Sequence, residues 1–136
     1  MSDPLLLPLR LQPGDDLRAA LSAAVAAQAC GAAFVLAGIG SLSATQLRLA
    51  GAEQQCALTG DVEILTLSGS IAANGVHLHM SVADAGGRVL GGHVAAGCIV
   101  RTTAEVLVAL LPDWHFTREA DAATGYAELV PRRAGT

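Results

Sequence analysis

Lysine is absent from these 136 residues, and charge of either sign is scarce. Eight basic residues, all arginine, stand against twelve acidic ones, for a formal net charge of −4. Gripping a phosphate backbone draws on a basic patch, so this balance disfavours DNA as the main partner. Charged residues make up 15% of the chain and apolar ones 52%, against about 25% and 45–50% in ordinary soluble domains. Too few charges to clothe a monomer imply apolar surface covered by other copies of the chain. Long apolar runs are missing as well. Ala19 to Ala27 is interrupted by Ser22, and Phe34 to Gly40 is short; neither approaches the roughly 20 residues of a spanning helix. No membrane role is expected. The opening Met-Ser-Asp-Pro has no basic region leading into an apolar stretch, so no secretory signal is read. Three scattered cysteines, Cys30, Cys56 and Cys98, make no disulfide framework. They fit a cytoplasmic protein in which cysteine serves as a small buried apolar residue. Ser-His-Asp spacing, a phosphate loop, a dinucleotide fingerprint and Cys-x-x-Cys are all lacking. Gly38-Ile-Gly-Ser has neither the third glycine nor the following helix of such a fingerprint.

What is present reads as one domain. Leu5 to Gln12 is apolar enough for a first strand, which Pro8 confines to an edge or a bulge. Asp15 or Asp16 caps a helix over Leu17 to Cys30, with Leu17, Leu21 and Val25 on one stripe and Gly31 as the left-handed stop. Strands follow at Ala33–Ala37, closed by the Gly38-Ile-Gly-Ser turn, and at Thr45–Ala50. Gly51 to Cys56 reads as a polar connection. Further strands are expected at Val62–Leu67, Val76–Ala83, Val89–Val100, Phe116–Asp121 and Tyr126–Val130. Glu105–Leu111 fits strand or helix, and strand or a mixed turn-strand is favoured because Thr102-Thr103 precede it and Pro112 stops it. Residues 1–8 form an arm or edge strand, 9–130 the domain, and 131–136 a frayed polar tail. The fold class is α+β, a mainly antiparallel sheet flanked by one long helix, with further short helices allowed.

The most informative stretch runs from Val76 to Val94. Val76, Leu78, Met80 and Val82 alternate with His77, His79 and Ser81. Asp84-Ala-Gly-Gly marks a turn, and Arg88 begins the return strand. A three-residue loop with Asp84 opposite Arg88 puts Val82 opposite Leu90, Leu78 opposite Val94 and His79 opposite His93. Every bulky apolar residue then falls on one face and all three histidines on the other; a slip by one residue would drive His93 into the apolar side. Three converging imidazoles with an open fourth position are the arrangement of an exchangeable or catalytic zinc site. Such a site can activate water or hold a small anionic ligand. Gly91 and Gly92 leave space beside His93. Two other readings stand: a histidine cluster at a subunit interface, and strand histidines without special role. Glu63 and Glu105 are candidates for a base or an outer carboxylate at this site, or else for edge or interface carboxylates. His115 reads as packing or surface.

Several segments also resemble a known family. Gly60-Asp-Val-Glu-Ile-Leu-Thr-Leu-Ser-Gly-Ser resembles the Gly-Arg-Phe-Glu-Ile-Leu-Ser-Leu-Ser-Gly segment of the PPC (plants and prokaryotes conserved) family. Gly75 to Asp84, Gly87 to Val94 and Gly97 to Val106 resemble its central hairpin and the segment after it. Thr124-Gly-Tyr-Ala-Glu-Leu resembles its C-terminal signature. The likeness spans about Leu9 to Val130, with the motifs in order. It implies an antiparallel sheet flanked by helices, assembled as a homotrimer. It also implies a predicted DNA-binding or regulatory role, which in plant members accompanies an AT-hook inserted in the minor groove. No Arg-Gly-Arg core occurs here, and Asp61-Val62 stands where the family has Arg-Phe, removing a positive charge. The histidines are kept, as in bacterial-type members, which supports His77, His79 and His93 as metal ligands. A structural trimer without chemistry is the remaining alternative.

Overall fold

The structure, a computed structural model, describes residues 1–135. Its elements run β1 (Leu5–Leu11), α1 (Leu17–Ala26), β2 (Ala32–Arg48), β3 (Gln55–Leu58), β4 (Val62–Ala72), β5 (Gly75–Ala83), β6 (Val89–Val94), β7 (Ile99–Leu110), β8 (Trp114–Ala120) and β9 (Ala127–Arg133). Antiparallel pairing orders the main sheet β1-β7-β2-β4-β5-β6, with β3 beside the end of β2. β6 also returns to β2 through Leu47–Val94 and Arg48–His93, so β2, β4, β5 and β6 close into a small ring. β8 and β9 form a separate ribbon. This is the expected α+β, mainly antiparallel class, with α1 as the one helix among the described residues. No described helix is long and apolar enough to cross a membrane.

The helix begins where a cap permits. One Asp16 carboxylate oxygen accepts from the Ala19 amide (3.0 Å), and the other accepts from the Gly97 amide (2.7 Å). A single side chain thus satisfies a free amide of the first turn and ties the helix to the β6–β7 turn. Leu17, Leu21 and Val25 are buried against Leu42, Leu78, Val100 and Val108 in one continuous apolar core. A smaller core gathers Ala32, Ala72 and Phe116 beneath the β8–β9 ribbon.

Several boundaries differ from the pattern reading. The helix stops at Ala26 rather than Cys30, and Ala29, not Gly31, takes the left-handed conformation (φ 51°). Gly31 meets another demand: a Cβ there would lie 2.6 Å from Nδ1 of His115. β2 is one 17-residue strand, not two. Gly38-Ile-Gly-Ser does not end it: Gly38 and Gly40 pair in register with Val106 and Ala104 of β7, and the register shifts fall on either side of them. The connection expected at Gly51 to Cys56 already contains the start of β3. Val89–Val100 divides at residues 95–98 into β6 and the start of β7. β9 runs through Pro131 to Arg133, with Arg132 paired to Glu119 and Arg133 stacked on Trp114. Proline is tolerated because β9 pairs with β8 alone and its other side is an edge. The remaining residue of the expected tail, Thr136, lies outside the described residues.

Gly69 on β4 is held at φ +149°, and a Cβ there would fall 2.1 Å from the His77 carbonyl oxygen. Both the backbone angle and the strand approach beneath His77 require glycine. Gly69→Ala is expected to lower unfolding free energy by at least about 2 kcal/mol, read from urea denaturation curves at equal m-value.

Candidate metal centre

The hairpin that carries the histidines is fixed at its tip. Asp84 Oδ1 accepts from the amides of Gly86 and Arg88, both at 2.9 Å, and Oδ2 takes the Arg88 guanidinium at 2.9 Å. These bonds, the Arg88 amide first, hold the Asp84 carboxyl below the usual range. Asp84 and Arg88 close a three-residue loop. The register that follows sets Val82 opposite Leu90 and His79 opposite His93. Leu78, Met80 and Val82 are buried, whereas His77 and His79 face outward. A cross-strand row runs Arg48–His93–His79–Ser68, and His77 lies opposite Ser70 in a parallel row. Directly opposed residues point to the same face, so the three rings rise together.

They converge closely. His77 Nε2 and His79 Nε2 are 3.1 Å apart, as are His79 Nε2 and His93 Nδ1. One ligand nitrogen from each ring lies within 4.8 Å of the others. Zn–N bonds of about 2.0–2.1 Å at a tetrahedral angle separate two nitrogens by about 3.3 Å. Neutral imidazole nitrogens at these spacings are a donor set that fits a borderline-soft divalent ion. The rings of His77 and His93 stack (17° between planes, centroids 5.2 Å), with His79 edge-on to both.

Glu63 and Glu105 are not brought to the rings. Glu63 shares the outer face but pairs with Ala83, five residues along β4 from the Ser68 that faces His79. At about 3.3 Å per residue the offset is roughly 15 Å. Glu105 lies on β7, opposite Ile39 and Arg10. The space expected at Gly91 and Gly92 is taken by neighbouring strands: added Cβ atoms would lie 3.2 Å from the Met80 carbonyl oxygen and 2.9 Å from that of Arg48. His115 is exposed and rests over Gly31, away from the hairpin. Cys98 is buried, and desolvation pushes its thiol up.

The pattern reading missed the groove beside the rings. A cavity of about 900 Å³ is lined by His77 and His93 together with Arg18, Arg48 and Arg118. Desolvation, then Arg118, holds the His77 pKa below its ordinary value; desolvation, then Arg48, does the same for His93. Arg48 is visible in the sequence only as a polar position of an alternating strand. It joins the site through the long-range β2–β6 pairing.

This architecture has a known family. The family model of the Plants and Prokaryotes Conserved (PCC) domain matches residues 6–112, and the chain belongs to that family. It is similar over its length to a hypothetical protein from Salmonella enterica of solved structure: 39% identity, TM-score 0.93, covering 98% of this chain and 97% of that one. The metal-containing protein AF0104 from Archaeoglobus fulgidus is 25% identical, with TM-score 0.81 over 93% of each chain. A further relative is the bifunctional protein GlmU of Synechococcus sp. (strain JA-2-3B'a(2-13)), 48% identical over 124 residues, which are 91% of this chain and 20% of that protein. The chain therefore spans about a fifth of the length of the curated relatives it matches.

With their folded-state pKa values lowered, His77 and His93 bind fewer protons folded than unfolded near pH 6. Their contribution to stability is complete above the unfolded value of about 6.5 and falls away as the pH drops through the folded values. Metal-free protein should therefore lose denaturant midpoint between pH 7 and pH 5. His77→Asn should flatten that decline; an equal slope in the variant would show that these rings do not govern it.

Proposed function

We propose that this chain is a metal-binding PCC-family module that holds a divalent ion, zinc by its ligand chemistry, through His77, His79 and His93. The carrying observation is the gathering of three imidazole nitrogens within 4.8 Å of one another, two of the pairs at 3.1 Å and so near a tetrahedral edge. The metal-containing description of the Archaeoglobus relative adds support. Three protein ligands leave a coordination position for water or an exogenous ligand. The reading of the domain as a DNA binder has less behind it. The net charge is −4, and Arg88, Arg101 and Arg132 are tied to carboxylates.

The same reading includes a homotrimer. Leu36, Ile39 and Leu65 are about half exposed at 53%, 55% and 45%, and Leu5 and Leu6 are more so. Such a concentration of exposed leucine and isoleucine on a sheet-rich domain supports burial against further copies.

Metal analysis of purified protein tests the site. About one zinc per chain is expected in the wild type. His93→Ala, which removes one of three ligands, is expected to weaken zinc binding by about 100-fold or more. Equal and negligible metal in both would overturn the assignment. Solution mass should equal three chains, and Ile39→Asp should shift it toward one. A wild-type monomer would remove the trimer and leave the metal site standing.

A further inference from the structure

Five of the eight arginines are exposed: Arg10, Arg88, Arg101, Arg132 and Arg133. Three are drawn partly out of solvent, Arg18, Arg48 and Arg118, and these three line the cavity that the histidines border. They arrive from separate elements: the first turn of α1, the end of β2, and β8. Two are held by neutral partners. Arg18 Nη2 donates to the Val76 carbonyl oxygen (3.2 Å), and Arg118 Nη2 donates to Ser70 Oγ (2.6 Å), where Ser70 is the cross-strand neighbour of His77. Arg48 is the cross-strand neighbour of His93.

The carboxylates that pair with arginine are spent elsewhere. Asp84, Asp61 and Glu119 take Arg88, Arg101 and Arg132, all exposed. Among the described residues, none of the three groove arginines has a carboxylate within ion-pair distance. Glu53 and Glu128 line the same groove, so three guanidiniums face two unpaired carboxylates there. A half-buried guanidinium without counter-charge has given up hydration that its neutral partners only partly replace. Three of them around one cavity create a standing preference for an anion, and guanidinium groups suit phosphate oxygens in particular.

We infer that this groove binds a small phosphate-bearing molecule, its phosphate lying between Arg18, Arg48 and Arg118 and the open coordination position of the histidine-bound metal. The placement beside the metal rests on the reading above; the arginine half stands without it. A tetrahedral dianion can share its oxygens among guanidiniums from three directions and still offer one to a cation, which a single carboxylate cannot do. At about 900 Å³, the cavity lies within the range of small-molecule sites and leaves space for the rest of an ester.

Inorganic phosphate, titrated calorimetrically into the full chain, tests this. The titration is run on zinc-loaded protein freed of excess metal, on zinc-free protein, and on Arg48→Gln and Arg118→Gln, each checked for native circular dichroism. The zinc-loaded wild type is expected to bind phosphate, and the zinc-free form more weakly. Each arginine variant should lose about tenfold or more in affinity while retaining its zinc. Zinc-loaded protein that ignores phosphate, or wild type and both variants binding it equally, overturns the inference and leaves the metal site intact. Wild type that takes up no zinc overturns the metal reading alone. The zinc-free titration then decides the groove by whether phosphate binding depends on the arginines.

Discussion

The position of every side chain at the centre depends on the β5–β6 register, and that register hangs on one carboxylate. Asp84 gathers two backbone amides and the Arg88 guanidinium, so the turn closes at a fixed residue. A strand has period two, and fixing the turn fixes the face on which each residue emerges. The apolar partners Leu78, Met80 and Val82 then have a single way into the core. Their burial and the outward gathering of the histidines are one event. Flipping β5 by a residue would expose three large apolar side chains and bury the imidazoles of His77 and His79, so the core enforces the geometry of the surface site.

This is why the hairpin was legible in the sequence. Alternation, turn chemistry and the histidine positions all lie within the 19 residues from Val76 to Val94 and agree with one another. The start of the helix was legible for a similar reason, since Asp16 precedes an apolar stripe. Its end was not. Ala26 to Ala29 offers no local stop, and Gly31, which looks like one, answers instead to the ring of His115. The glycines of β2 misled in the same way: read locally they break a strand, whereas the paired structure uses them to let neighbouring strands come close.

What the sequence did not disclose depends on contacts across long separations. Closure of β6 onto β2 joins Leu47 to Val94 and Arg48 to His93, far apart in sequence, and no local period encodes it. That closure brings Arg48 beside His93, while Arg18 and Arg118 come from a helix turn and from the second ribbon. The carboxylates singled out beforehand, Glu63 and Glu105, were chosen by residue type. Strand order and offset leave them remote from the rings. The three histidines were therefore readable from one ribbon, and the charge that surrounds them was readable only from the assembled sheet.

The closure of β6 onto β2 also limits how copies of this chain can meet. A strand with a free row of amides and carbonyls invites a second strand to extend the sheet. At the histidine side β6 turns part of that row inward, toward Leu47 and Arg48. At the opposite end of the sheet β1 is the margin, and Pro8 deletes a donor from its backbone. Continuous ribbons of copies are discouraged at both borders; copies that did associate would meet on the broad sides of the sheet, where matching of shapes and greasy side chains, rather than backbone pairing, would set which fit.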